Sequence, residues 1–390
     1  MSAAQSNQHG KKLVISAHAV PLQGGQGLNL FQMIEGARDA FETTVFCRGT
    51  SERAQQTHRV PDSSLSRLIN RIPVVRRLRD WKNYFSDTHF DAYVASRLPA
   101  AEVFQGAAGH CADSLNVAKK KGARTLLDVL TLHIEEFGAQ QDRECPLFGV
   151  RPSINQSLRK RILQEYERAD LIRVMSGLAR DSFLARGFAP ARVVAVLPPV
   201  NTEEFPTAQF DGPQFRISFV GLIEPWKGFH YLIDAFNALD LPDSELFLWG
   251  GTGARSIHHY LRGHMARNPR IKSQPIEVRR FYAEVYARSS VLVHPSLADG
   301  FGYVVAEAMA SGIPVIVTPN TGASELVVDG HNGYIVPARD RDALRDRLAH
   351  LAAHPAQLRE MGRAARESVS SLTFEKFRER YNSCLTKLAA

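Results

Sequence analysis

The sequence predicts an α/β protein built from two doubly wound domains, and three observations predict it. A strand, a glycine-rich loop and a helix follow one another twice, in "KKLVISAHAVPLQGGQGLNLFQMIEGA" near the start and "FRISFVGLIEPWKGFHYLIDAFNAL" after the midpoint. Strand-like and helix-like runs alternate through both halves, the pattern of parallel sheets covered by helices. A length of 390 residues suits two domains with cores of their own.

Taken in order, the first strand spans 12–17, and Gly24, Gly25 and Gly27 form a loop before the first helix. The apolar run in "LLDVLTLHIEEF" reads as a buried strand that ends just before His133. "LPPVNTEEFP" at 197–206, rich in proline and acid, is the expected linker. A strand at 216–220 reopens the plan, and Phe229, Leu232, Ile233, Phe236 and Leu239 then follow helical spacing. "ELFLWGGTG" runs a strand into Gly250, Gly251 and Gly253. Neither "GGQGLN" nor "GGTGAR" has the third spaced glycine of a dinucleotide fingerprint, and no GxxxxGK[ST] is present. Such turns support a ligand at the carboxyl ends of the strands without naming it.

Composition narrows the class. Hydrophobic residues at 44% and charged residues at 23% describe an ordinary globular protein. The opening "MSAAQSNQHGKK" has no apolar core of an export signal, so a cytoplasmic protein is expected. Cys47, Cys111, Cys145 and Cys384 form no CxxC pair, which argues against both a cysteine zinc site and a disulfide framework. The net charge is +8, and most of it lies in the first half, whose partner is therefore expected to be anionic. No nucleic-acid motif accompanies that charge, so a nucleic acid is the least favoured partner.

The segment "DGFGYVVAEAMASGIPVI" carries the chemistry. It reads as a loop holding Asp299, then a helix holding Glu307 and ending near Gly312, between the strand-like runs "VLVHPS" and "IPVIV". Helical side chains lean toward the N-terminus, so both carboxylates reach one mouth, where the free N–H groups near Gly302 and Tyr303 also point. A tight turn with a capping Asp and a solvated Glu is the bland alternative.

Four stretches together resemble the retaining glycosyltransferases of family four, the group 1 glycosyl transferases of the GT-B fold. They are "LQGGQG", "FVGLIEPWKG", the block from "PS" through "GFG" to Glu307, and "DGHNGYIVPA". The resemblance implies two Rossmann-like domains with an interdomain cleft. Residues 1–200 would form the acceptor-side domain and 201–372 the nucleotide-sugar donor domain, with a helix over 373–390 packing back on the first. It further implies transfer of a sugar, with retained configuration, from a nucleotide-sugar to a carbohydrate or lipid-linked acceptor, without cofactor or metal.

Carried over residue by residue, the resemblance puts Glu307 on the ribose hydroxyls and Asp299 on the transferred sugar. The amides of Phe301, Gly302 and Tyr303 would meet the diphosphate or sugar hydroxyls, and Gly300 and Gly302 would allow close backbone approach. The family has Glu where this chain has Asp299, one methylene shorter. Lys227 would meet the leaving diphosphate, where negative charge grows. Gly25 of the first loop and Glu325 in "TGASEL" would also border the donor, although Glu325 suits a helix cap nearly as well. His133 would contact the donor sugar from the first domain. A family arginine is replaced by Leu222, with Arg255 the candidate substitute, and His294 reads as a packed strand-end residue.

"DRD" at 340–342 imitates a metal motif but reads better as an acidic helix start, so no metal is expected there. The stretch 63–85 carries Leu65, Leu68, Ile69, Trp81 and Phe85 among Arg67, Arg71, Arg76, Arg77, Arg79 and Lys82. That pattern suits an anionic membrane surface, and equally a pair of structural helices with a basic rim. A nucleotide-sugar epimerase of the same fold and a non-catalytic sugar-binding protein are the rival readings.

Overall fold

A computed structural model describes residues 10–62, 79–208, 214–275 and 282–390. The first domain holds strands β1 (Lys12–Ser16), β2 (Glu42–Cys47), β3 (Gln56–Arg59), β4 (Val103–Ala107), β5 (Arg124–Val129), β6 (Leu171–Val174) and β7 (Val193–Ala195). They form one parallel sheet in the order β3-β2-β1-β4-β5-β6-β7. The second domain holds β8 (Phe215–Val220), β9 (Ser244–Trp249), β10 (Ile271–Gln274), β11 (Val291–His294), β12 (Val315–Val317) and β13 (Gly333–Ile335). Its order, again parallel, is β10-β9-β8-β11-β12-β13.

Both central strands are buried on both faces, as parallel sheets require: Leu13, Val14 and Ile15 of β1, and Ile217, Phe219 and Val220 of β8. Strand order reverses between β1 and β4 in one sheet and between β8 and β11 in the other. Ligands of such folds settle at these two points, outside the carboxyl ends.

The first helix, Gly24–Ala37, starts within the glycine-rich segment, so Gly24, Gly25 and Gly27 form its opening turn instead of a separate loop. Gly27 is required there because a Cβ would collide with the carbonyl oxygen of Val20. The linker also differs from expectation. Val200 and Phe205 are buried, and Arg366 donates to the carbonyls of Thr202 (3.0 Å) and Phe205 (2.8 Å), fixing the stretch to the second domain. The chain crosses back beside it, where Val200 N–H donates to Leu372 O at 2.9 Å. The final helix, Phe374–Leu388, then packs on the first domain through Phe377, Tyr381 and Leu385. Beneath it lies a fully buried ion pair, Arg173–Asp128 at 2.6 Å, with the guanidinium 5.4 Å from the Phe377 ring.

Candidate functional site

The site grows from the loop after β11. Asp299 N–H donates to Asn320 O and Gly322 N–H to Asp299 O, each at 3.0 Å, so a second loop splints the backbone of Asp299. Its carboxylate forms an ion pair with Lys227, and Nε2 of His294 lies 2.9 Å from the same oxygen. Lys227 comes from the short 3-10 turn Pro225–Lys227, which Gly228 closes in the left-handed region at φ 71°. A side chain there would meet Pro295 O, so the lysine's turn lies directly against the "HPS" strand end.

Burial alone would raise the Asp299 pKa; the Lys227 charge and the His294 contact outweigh it and hold the carboxyl well below the usual carboxylate range. Burial lowers His294 in turn, so at neutral pH it is an uncharged orienting group. The pair is not sealed off: Lys227 is 20% exposed and Asp299 14%.

Glu307 sits within the helix Tyr303–Ala310, is 1% exposed, and accepts a 2.9 Å hydrogen bond from the Tyr286 hydroxyl. Gly302 caps this helix at φ 86°, a conformation suited to glycine, and a Cβ there would press on Thr321. Phe301 is buried in the second domain's core, leaving its backbone as the part able to meet a ligand.

Other predicted residues bind the two domains together. Gly300 abuts the carboxyl end of β5, where a Cβ would collide with Leu130 O, and Ser176 donates to Gly300 O at 2.6 Å. That is a correction: the close approach Gly300 permits is to the opposite domain's backbone. Tyr303 donates to Gln32 Oε1 at 2.9 Å, and Gly25 lies close to its ring. Glu325 accepts from Gly177 N–H at 2.9 Å. It caps a helix, as its alternative reading held, but one in the other domain (Gly177–Leu184).

His133 also needs correcting. Its ring is 2% exposed and enclosed by Phe183 (4.9 Å), Tyr166 (5.1 Å) and Phe188 (5.9 Å). It caps the helix Ile134–Glu144 by accepting from Glu135 N–H at 3.4 Å. Burial, helped by the Arg186 charge, lowers its pKa to about 4. His133 is thus a neutral core residue, and Leu130 and Thr131 take the position facing Gly300.

Leu222 is 59% exposed, and Arg255 is exposed at the start of the helix Arg255–Arg267. Asp340 caps the helix Arg341–Ala353 through Ala343 N–H at 2.9 Å, and Asp342 pairs with Arg345 at 2.9 Å. Those contacts give "DRD" its helix-start role.

Sequence reasoning missed one contact between the domains: Glu144, 1% exposed, pairs with Arg339 at 2.8 Å and with His230 at 3.2 Å. Arg339 stands at φ 68°, unusual for a side-chain-bearing residue, and nothing local in the sequence marks it.

Two parallel α/β domains, with an acidic, lysine-paired site at the carboxyl edge of the second, define a GT-B protein. Residues 200–368 of the chain match the family described as "Glycosyl transferases group 1". It is 30% identical over 215 residues to D-inositol 3-phosphate glycosyltransferase of Kribbella flavida, covering 48% of this chain and 49% of that one. To the GDP-mannose-dependent alpha-(1-6)-phosphatidylinositol monomannoside mannosyltransferase of Mycolicibacterium smegmatis it is 28% identical, covering 68% and 70%. The chain spans about half the length of the first curated relatives it matches. HepE of Anabaena, in complex with UDP-glucose, shares the fold at a TM-score of 0.75 and 17% identity, covering 97% of this chain and 100% of that one. WaaG, a glycosyltransferase involved in lipopolysaccharide biosynthesis, does so at 0.71 and 15%, covering 96% and 99%.

Proposed function

We propose that the chain transfers a glycosyl group from a nucleotide-sugar to a carbohydrate or lipid-linked acceptor, with retention of configuration. The observation that carries this reading is the Lys227–Asp299–His294 constellation at the carboxyl end of β11, next to the helix that holds Glu307. The donor binds the second domain. Glu307, oriented by Tyr286, accepts from ribose hydroxyls, and Asp299 accepts from hydroxyls of the transferred sugar. As the glycosidic bond to the diphosphate breaks, negative charge grows on the leaving oxygen. Lys227 and the N–H groups that open the helix Tyr303–Ala310 are placed to stabilise it, a task a divalent cation performs elsewhere. The departing phosphate takes the acceptor's proton on the same face, which preserves the configuration.

The test is nucleotide release from UDP-, GDP- and ADP-sugars, with and without candidate acceptors. Glu307→Ala should retain the fold and lower kcat/KM on the order of 10- to 150-fold, the worth of a charged hydrogen bond. An unchanged rate overturns the assignment. Release that never depends on an acceptor favours the epimerase instead.

The membrane reading belongs here too. Residues 63–78 lie outside the described residues; from Asp80 onward the stretch belongs to the helix Arg79–Arg97. Trp81 (39% exposed) and Phe85 (41%) stand together on its first turns, ring centroids 5.9 Å apart, with the exposed Lys82 between them in sequence. No helix among the described residues is long and apolar enough to cross a membrane. The aromatic pair and the basic residues before it suit adsorption to anionic lipid. Cosedimentation with anionic vesicles should require anionic lipid and weaken with salt; equal binding to neutral vesicles, or none, makes the stretch structural only.

A further inference from the structure

On the first domain, a cluster that the transfer reaction does not use stands at that sheet's own reversal point. His18 follows β1 and His110 follows β4, the two strands that pair there, and Asp87 reaches them from the helix Arg79–Arg97. His18 Nδ1 lies 2.6 Å and His110 Nε2 3.5 Å from the same Asp87 oxygen, and one ligand atom from each residue falls within 4.8 Å of the others. The three side chains are 16%, 11% and 11% exposed. Nδ1 of His110 is buried without a hydrogen-bond partner.

From this geometry we infer that His18, Asp87 and His110 form a binding site for one divalent transition ion, zinc by preference. Two imidazoles and one carboxylate with a fourth position left open are a zinc donor set; magnesium and calcium prefer oxygen alone. Nδ1 of His18 is freed for the metal when its proton moves to Nε2, which lies 3.5 Å from the Ser86 hydroxyl. That shift releases no proton, and Ser86 becomes the outer partner that fixes the ring. Arg48 is the opposing charge nearby. It pairs with Asp62 at 3.1 Å and donates to Val60 O at 3.2 Å and to Ser86 Oγ at 3.4 Å, so it reaches the edge of the cluster, where the Asp87 carboxylate offsets its charge.

The cluster is held in place beforehand. The His18 ring stacks on Phe90 at 4.9 Å. Buried Glu165 accepts from the N–H groups of Gly109 (2.5 Å) and Cys111 (3.0 Å), on either side of His110. Asp91, one turn beyond Asp87, accepts from Asp113 N–H at 2.7 Å and Ser114 N–H at 2.9 Å, clamping the helix to the segment after His110. Ligands fixed this way lose little freedom on binding an ion.

The inference stands apart from the transferase reading and is tested without donor or acceptor. Chelator-stripped full-length chain is titrated with Zn²⁺ by calorimetry, and with Co²⁺ by visible absorption. One ion per chain is expected, with a zinc-dependent rise in Tm. His18→Ala or His110→Ala should abolish the stoichiometric site, and Ser86→Ala should weaken it by about 10-fold. The stacked surface pair His350 and His354, ring centroids 4.3 Å apart, is the competing site. Loss of binding only in H350A/H354A, unaltered binding in the His18 and His110 variants, or no binding by the wild type overturns the proposal. If a ligand variant fails to fold, the nitrogen ligand field of the wild-type Co²⁺ complex and Ser86→Ala decide the same question.

Discussion

Two carboxylate–cation pairs, one in each domain, show how solvation divides architecture from chemistry. Asp128–Arg173 lies at 0% exposure under the last helix, the guanidinium flanked by Phe377 and Tyr381. Asp299–Lys227 has the same charges but is 14% and 20% exposed at the cleft. The first pair cannot exchange partners without leaving a charge in an apolar medium. The second can, because water or a polar ligand reaches it. A buried pair is costly to break and a reachable one is available for use.

Breaking the buried pair should give the largest effect. Arg173→Met leaves Asp128 charged and enclosed, with Asn29 as its remaining described side-chain partner, and should cost about 3–5 kcal/mol in chemical denaturation. Replacing both, as Arg173→Met with Asp128→Leu, should recover most of that loss. If the single variant matches the wild type, the pair does not hold the last helix in place.

Lys227→Ala should behave in the opposite way. Asp299 keeps His294 and gains water, so the loss of stability should be smaller than that of Arg173→Met. Turnover should fall on the order of 10²–10³-fold, the usual worth of one donor aimed at developing charge. The fall should appear in kcat more than in KM; a change in KM alone makes Lys227 a donor-binding residue and nothing more. Added Mg²⁺ or Mn²⁺ should not raise the wild-type rate.

How much of this was legible in the sequence follows from the range of each interaction. The placing of Asp299 and Gly302 in a loop and of Glu307 in the helix after it was legible because strand, loop and helix lie within one short segment. Lys227 was singled out by the resemblance of "FVGLIEPWKG" alone, and its contact with Asp299, 72 positions away, is not a local pattern. The contacts of Gly300 with Leu130, Tyr303 with Gln32, and Glu325 with Gly177 join residues more than 140 positions apart, and local periodicity is silent about them. His133 misled for a related reason. A histidine after a strand reads the same whether it meets a cleft or a core, and Tyr166, Phe183 and Phe188 decided it from helices and loops further along the chain.

That histidine offers a sharper contrast with Asp299, because both pKa values are moved down but for opposite physical reasons. Asp299 is low because partners favour its charge; His133 is low because burial disfavours its charge. Unfolding restores His133 to near 6.5 from about 4, so the unfolded chain binds more protons between these values. Its stabilising contribution is therefore full above about pH 6.5 and is lost as pH falls toward 4. Between pH 7 and 5 the loss should be about 2 kcal/mol. His133→Asn keeps a capping side chain without the titration and should flatten this part of the stability–pH curve. An unaltered slope would place His133 in contact with water.

The smallest effect should fall on the contact that shares features of both ion pairs. Glu307 and Tyr286 are as buried as Asp128 and Arg173, yet they belong to the cleft domain and only one of them bears charge. Tyr286→Phe removes the hydroxyl and little volume, so the loss should be near that of a single hydrogen bond, about 0.5–1.5 kcal/mol. If the hydroxyl serves only packing, the loss appears in Tm and leaves kinetics untouched. If it orients Glu307 toward the ribose, donor KM rises roughly 2- to 13-fold while kcat holds, because the contact is alike in ground and transition states. Measuring Tm and donor KM on the same variant separates these outcomes, and an unchanged KM would mean that Glu307 is set by its helix alone.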